Sequence, residues 1–157
     1  MAIQSFREII GAQPSKVSTS SSVLIIIDAQ NEYAEGHLKV HNVDASRKVI
    51  SSLLQKYRSS SAPVIHVVHD TPSGAPIFTR CTPLAAEFSE LAPKDGETVI
   101  HKQAPSSFTG TELDDALKKL GRKQIVLVGY MAHVCITGTA RSGMEIANIW
   151  PSKISAS

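Results

Sequence analysis

Val23-Leu24-Ile25-Ile26-Ile27 is a run of five large apolar residues, most of them β-branched, cut off by Asp28. A strand with one wet face alternates apolar and polar residues, so an unbroken run of this kind reads as a strand buried on both faces, the signature of a parallel sheet covered by crossover helices. Shorter runs repeat the theme. Pro63 introduces Val64-Ile65-His66-Val67-Val68, Val99-Ile100 precedes His101, and Ile125-Val-Leu-Val128 is closed by Gly129. Between them lie amphipathic stretches. From Asn42, placed to cap, the residues Val43, Val49, Ile50, Leu53, Leu54 and Tyr57 recur at helical spacing. Thr109-Gly-Thr-Glu112 has capping-box spacing ahead of Leu113, Ala116, Leu117 and Leu120, with Gly121 as a C-terminal stop. A last helix is expected from about His133 into the 140s. Four strands alternating with helices define an open α/β sheet with right-handed crossovers.

The chain of 157 residues fits one such domain, and its 16 Lys and Arg against 14 Asp and Glu leave a net charge of +2. These basic residues never cluster beyond pairs such as Arg122-Lys123, so nucleic acid is not the expected partner. No apolar run approaches the ~18 residues of a membrane span. The first ten residues mix apolar with polar and charged ones, which breaks a signal-peptide h-region. Cys81 and Cys135 form no CxxC pair, and two thiols this far apart fit a reducing compartment. A cytoplasmic protein is therefore expected, with non-classical export left open. The organisation reads as a helix over Ala2–Ile10 and a Ser/Thr-rich linker (1–21), a main α/β domain (22–145) and a short tail (146–157).

In open α/β sheets ligands bind outside the carboxyl ends of the strands. Asp28 follows the first strand, Lys102 the third, and Cys135 lies beyond the fourth. A thiol, a carboxylate and an ammonium in one crevice are the parts of a cysteine-nucleophile hydrolase. Singly, each has a plain structural reading as a turn residue, a surface lysine or a small buried hydrophobe, so the joint placement carries the argument. Lys102 and the start of the last helix both favour thiolate, so a lowered Cys135 pKa and faster alkylation than at Cys81 are expected.

These segments carry a resemblance. Leu24-Ile-Ile-Ile-Asp28-Ala-Gln30-Asn31-Glu-Tyr33 resembles the VIDMQNDF opening of the isochorismatase-like, or cysteine hydrolase, superfamily. Val99-Ile-His-Lys102-Gln-Ala-Pro-Ser-Ser107-Phe108 resembles its lysine segment, and Val126-Leu-Val-Gly129-Tyr-Met-Ala-His-Val-Cys135-Ile-Thr-Gly-Thr-Ala140-Arg141 its nucleophile segment. Three motifs in order make this specific. The resemblance implies Asp28 as general base, Lys102 as its electrostatic partner and Cys135 as nucleophile. It also implies a cis peptide at Tyr130–Met131, an oxyanion hole from the backbone N–H groups of Met131 and Cys135, and a pocket lined by Gln30, Tyr33 and Phe108. No cofactor is expected. Nicotinamidases of the superfamily bind a metal through an Asp-x-His pair, which this sequence lacks, and His66 and His69 fall on opposite faces of their strand. His37, His41 and His101 are expected at the surface or the pocket rim, and Cys81 is taken as structural or incidental.

Retention of the cysteine favours C–N hydrolysis of a small amide or ureide through a thioester, with vinyl-ether cleavage of isochorismate as the alternative. The partner is then a small molecule, and a homo-oligomer is expected. After Glu145 the resemblance ends, roughly 35–50 residues short of the family pattern, or about one or two βα units. The strand order 3-2-1-4-5-6 would then leave Ile125–Val128 as a bare apolar edge unless Ile146, Ile149 and Trp150 cover it. That edge motivates a third reading, an inactive chain that binds or regulates a full-length relative.

Overall fold

The structure, a computed structural model, describes residues 6–11, 16–122, 124–146 and 154–156. A five-stranded parallel sheet has the order β3-β2-β1-β4-β5. Its strands are β1 (Ser22–Ile27), β2 (Val64–His69), β3 (Thr98–Lys102), β4 (Gln124–Gly129) and β5 (Ile154–Ala156). The helices are α1 (Phe6–Ile9), α2 (Glu32–Glu35), α3 (Val43–Ser59), α4 (Leu113–Leu120) and α5 (Thr137–Ile146). All six residues of β1 are buried, as a central strand flanked by β2 and β4 requires.

Alternation along β1 divides the core into two layers. Leu24 and Ile26 face α3, packing with Ile50, Leu54, Tyr57, Val126 and Val128. Val23, Ile25 and Ile27 face the other way, with Ile65, Val67, Ile100, Leu113, Leu117, Ile125 and Leu127. Each such side chain, fully buried, contributes about 1.5–3 kcal/mol. Val49, expected on the inner stripe of α3, is 64% exposed.

Two helix starts differ in detail from expectation. Asn42 holds the predicted N-cap position with φ 54° and no side-chain cap bond, and Ala45 and Ser46 donate to its carbonyl instead. At α4 the capping hydroxyl belongs to Thr111, not Thr109: Thr111 Oγ1 accepts from Leu113 N at 3.2 Å and donates to Ser107 O at 2.5 Å. Gly121 ends α4 as expected, with φ 62° and its N–H on Lys118 O at 3.1 Å. Gly129 is needed where β4 meets β1, because a Cβ there would stand 1.9 Å from Ile27 O.

The expected bare edge on β4 is corrected by β5, which pairs with it in parallel through Ile125 with Ile154, Val126 with Ser155 and Leu127 with Ala156. Ile146 is the last residue of α5, while Ile149 and Trp150 lie outside the described residues. Residues 2–5 of the expected first helix and 14–15 of the expected linker also lie outside them.

Candidate active site

The carboxyl ends of four adjacent strands supply the site. β1 ends at Ile27, and Asp28 turns away from the strand with φ 52°, its N–H on Val67 O at 2.8 Å. Lys102 is the last residue of β3 and is only 1% exposed. Beyond β4 the chain passes through Tyr130 and a wide π turn at Ala132–Ile136 before α5 begins at Thr137. Cys135 therefore lies in that turn, short of the α-helix. The Tyr130–Met131 peptide is cis, as the resemblance implied. Met131 O accepts from Val134 N at 3.1 Å and Ile136 N at 3.3 Å, which closes the turn beneath the cysteine.

The three residues singled out from sequence meet. Lys102 Nζ donates to Asp28 Oδ2 at 2.8 Å and to Ala104 O at 3.1 Å, and stands 3.5 Å from Cys135 Sγ. A fourth neighbour was not singled out: His69 Nδ1 lies 3.0 Å from the same nitrogen. His69 ends β2, so the rule that found Asp28 and Lys102 pointed at it too; it was weighed only as a metal ligand. Asp28 Oδ1 is buried and accepts no hydrogen bond among the described residues.

Electrostatics depart from expectation. Burial, followed by the Asp28 charge, pushes the Cys135 thiol up to about 11, and Lys102 only partly opposes this. Burial likewise raises the Asp28 carboxyl above the ordinary carboxylate value, against the pull of Lys102, Cys135 and His69. The expected lowering of the cysteine pKa is corrected accordingly: burial and the Asp28 charge outweigh one lysine. At rest the sulfur keeps its proton beside a carboxylate with an open lone pair.

Of the expected pocket residues, Tyr33 is close enough to Asp28 and Cys135 for their charges to add to burial in raising its phenol. Its ring stacks on Tyr130 at 5.2 Å and meets Phe78 edge-on at 5.4 Å. Gln30 does not line the pocket with free polar groups. It is fully buried, with Oε1 accepting from His69 N at 2.9 Å and Nε2 donating to His69 O at 3.0 Å and Ala85 O at 2.8 Å. Phe108 packs in the core layer of Ile125, and a Cβ on Gly143 would stand 3.2 Å from its ring. Its segment is tied to α5 by Thr139, whose Oγ1 accepts from Ser107 N and donates to Ser107 Oγ, both at 2.9 Å.

Outside the site, His37, His41 and His101 are exposed, the last with its ring 3.1 Å from Asp70. Among the described residues no group of three or more His, Cys, Asp or Glu is placed to hold a metal ion. Cys81 is exposed and free.

A parallel sheet whose strand ends gather a carboxylate, a lysine and a cysteine defines a class of open-sheet α/β protein with a thiol site, and comparison gives the family. The chain belongs to the isochorismatase family, residues 22–146 matching the isochorismatase domain. It is 59% identical over 143 residues to the secreted isochorismatase effector Isc1 of Verticillium dahliae, covering 91% of this chain and 75% of that protein. It is 27% identical to the ureidoacrylate amidohydrolase RutB of Yersinia enterocolitica, covering 86% of this chain and 75% of that one. The crystal structure of an isochorismatase from Pseudomonas putida KT2440 superposes with a TM-score of 0.87 at 31% identity, covering 99% of this chain and 77% of that one. The first of these overturns the expectation of a cytoplasmic protein. A relative this similar is a secreted effector, which points to an extracellular place, and the broken h-region in residues 1–10 carries no weight against export.

Proposed function

We propose that this chain is a hydrolase that cleaves the C–N bond of a small amide or ureide through a thioester on Cys135. The observation that carries this reading is the position of Lys102 Nζ, 2.8 Å from Asp28 Oδ2 and 3.5 Å from Cys135 Sγ. Asp28 Oδ1, without a donor of its own, takes the thiol proton as sulfur attacks the carbonyl carbon. The buried ammonium offsets the charge that forms on the pair, and the backbone N–H groups of Met131 and Cys135 receive the charge on the carbonyl oxygen. Collapse of the tetrahedral intermediate breaks the C–N bond. The Asp28 carboxyl returns its proton to the departing nitrogen, a thioester remains, and the freed carboxylate draws a proton from water as that water attacks. Acid leaves and the thiol is restored, so atoms and protons balance over the cycle. The amidohydrolase activity in the name of the Yersinia relative supports this bond type.

A second reading, vinyl-ether cleavage of isochorismate, is favoured by the name of the Verticillium relative. One experiment separates them. Small amides and ureides are screened for ammonia or amine release, and isochorismate for consumption, each with mass spectrometry of the quenched protein. Amine release with a substrate-derived adduct on Cys135 is the expected result. Isochorismate turnover without an adduct, or retained by Cys135→Ser, would overturn the thioester reading.

A further inference from the structure

We infer that His69 is a positioning residue which, as a neutral imidazole, takes one of the three protons of the Lys102 ammonium and so fixes where the other two point. The inference rests on the hydrolase reading above and adds a fourth member to its site. An ammonium has three protons and no lone pair. Around Lys102 Nζ four acceptors compete: Asp28 Oδ2 at 2.8 Å, His69 Nδ1 at 3.0 Å, Ala104 O at 3.1 Å and Cys135 Sγ at 3.5 Å. The oxygen and nitrogen acceptors engage the protons, and sulfur, the farthest, is served mainly by the charge.

For Nδ1 to accept, the ring proton must sit on Nε2 and the ring must be uncharged. Its surroundings hold it so. Burial first, then the Lys102 charge, depresses the His69 pKa, while Asp28 and Asp70 pull the other way. The ring is also fixed independently of the lysine. The His69 N–H and C=O are both held by the Gln30 amide, and the ring lies against Phe78 with centroids 5.1 Å apart. A preset acceptor on β2 thus aims a flexible side chain on β3, as the hydrogen-bond partners of metal ligands orient those ligands. Without it the third proton has no nitrogen or oxygen to meet and is left to Cys135 Sγ, 3.5 Å away, so thiolate gains a donor.

The test needs no substrate. Iodoacetamide alkylation of Cys135 is followed by mass spectrometry from about pH 7 to 10.5, with exposed Cys81 as internal reference, in the parent protein, His69→Leu, His69→Phe and His69→Gln. Phe keeps a ring against Phe78 but has no acceptor, whereas the Gln amide oxygen accepts. The Leu and Phe variants are expected to label Cys135 about tenfold faster near pH ~9, corresponding to a thiol lowered by about one unit as the freed proton turns to sulfur, with Cys81 unchanged. Gln should recover the parent rate to within about threefold, an acceptor having been restored. Parent-like or slower labelling in Leu and Phe would overturn the inference, as would equal changes in all three variants, which would mark a packing role. A parent Cys135 that stays unlabelled throughout while Cys81 reacts would remove the nucleophile, and this inference with it. Labelling that follows the His69 pattern in a protein that turns over no amide would support the inference while sinking the amide reaction.

Discussion

His66 and His69 stand three residues apart on β2, on opposite faces, each within a cluster of buried charge, and the two clusters are finished differently. Around His66 the groups are paired. Its Nδ1 lies 3.1 Å from Glu87 Oε1 and its Nε2 3.1 Å from Glu97 Oε2. Glu97 also receives Arg58 Nε at 2.8 Å, Arg58 Nη2 at 2.7 Å and the Lys94 N–H at 2.8 Å. That cluster fastens α3, β2 and the segment before β3. Around His69 one lysine is shared among four acceptors, and Asp28 Oδ1 is left open. A buried carboxylate with every lone pair engaged is an anchor; one with a lone pair to spare costs stability and can accept a proton.

The sharpest break in this comparison is at the open cluster. Cys135→Ser and Asp28→Asn are each expected to lower turnover at least about a thousandfold while the circular-dichroism spectrum and fold are kept. Asp28→Asn should also melt lower than the parent protein, since it strands the Lys102 ammonium fully buried, whereas Cys135→Ser leaves that pair intact. A variant retaining a tenth of the parent rate would show that the open cluster is not the reaction centre.

The closed cluster should respond the other way. Arg58→Leu, which strands Glu97 13% exposed, is expected to cost about 2–4 kcal/mol in urea unfolding with turnover per folded molecule unchanged. A loss of turnover without a loss of stability would reverse the roles assigned to the two clusters.

The smallest effects are in pH dependence, and their signs differ. Arg58 first, with Lys94 N and His66, holds Glu97 down to about 2 from an ordinary 4.5. Its folded pKa is the lower, so its stabilisation is full above pH 4.5 and is lost as pH falls toward 2, a loss that Arg58→Leu should flatten. Cys135 is the reverse case. Its thiol is held up at about 11 from an ordinary 9.0, so its contribution is full below pH 9 and drains away as pH rises toward 11. Cys135→Ser should abolish that alkaline limb in melting-temperature scans. For the same reason Cys135 should alkylate more slowly than Cys81 near neutral pH, the opposite of the sequence expectation.

What the sequence revealed and what it hid follow from the range of each interaction. β1 through β4 were legible because burial on both faces leaves an unbroken apolar run, and Asp28, Lys102 and Cys135 were legible because strand ends converge. β5 was not, since three residues, Ile154–Ala156, are too few to show a period. Gln30 and Phe108 were named by residue type, and residue type does not reveal which way a side chain is spent: one went to the backbone of His69 and Ala85, the other beneath α5. The Cys135 shift was misjudged because charges can be counted along a chain, whereas desolvation belongs to the packed state.

The Gln30 amide has a consequence for how this scaffold can change. It grips residue 69 and residue 85 together, so the stretch between them leaves and re-enters the domain at a single knot. Such a stretch behaves as a replaceable insert: doubling its length would cost only about 0.6 kcal/mol of closure entropy, and the strands behind the knot would not register the change. Turned inward from it, Thr71 is buried, Ile77 packs on the core, and Phe78 rests its N–H on Glu32 Oε2 at 3.0 Å with its ring facing Tyr33 and His69. The stretch can thereby be lengthened or exchanged while the cysteine, carboxylate and lysine stay where they are.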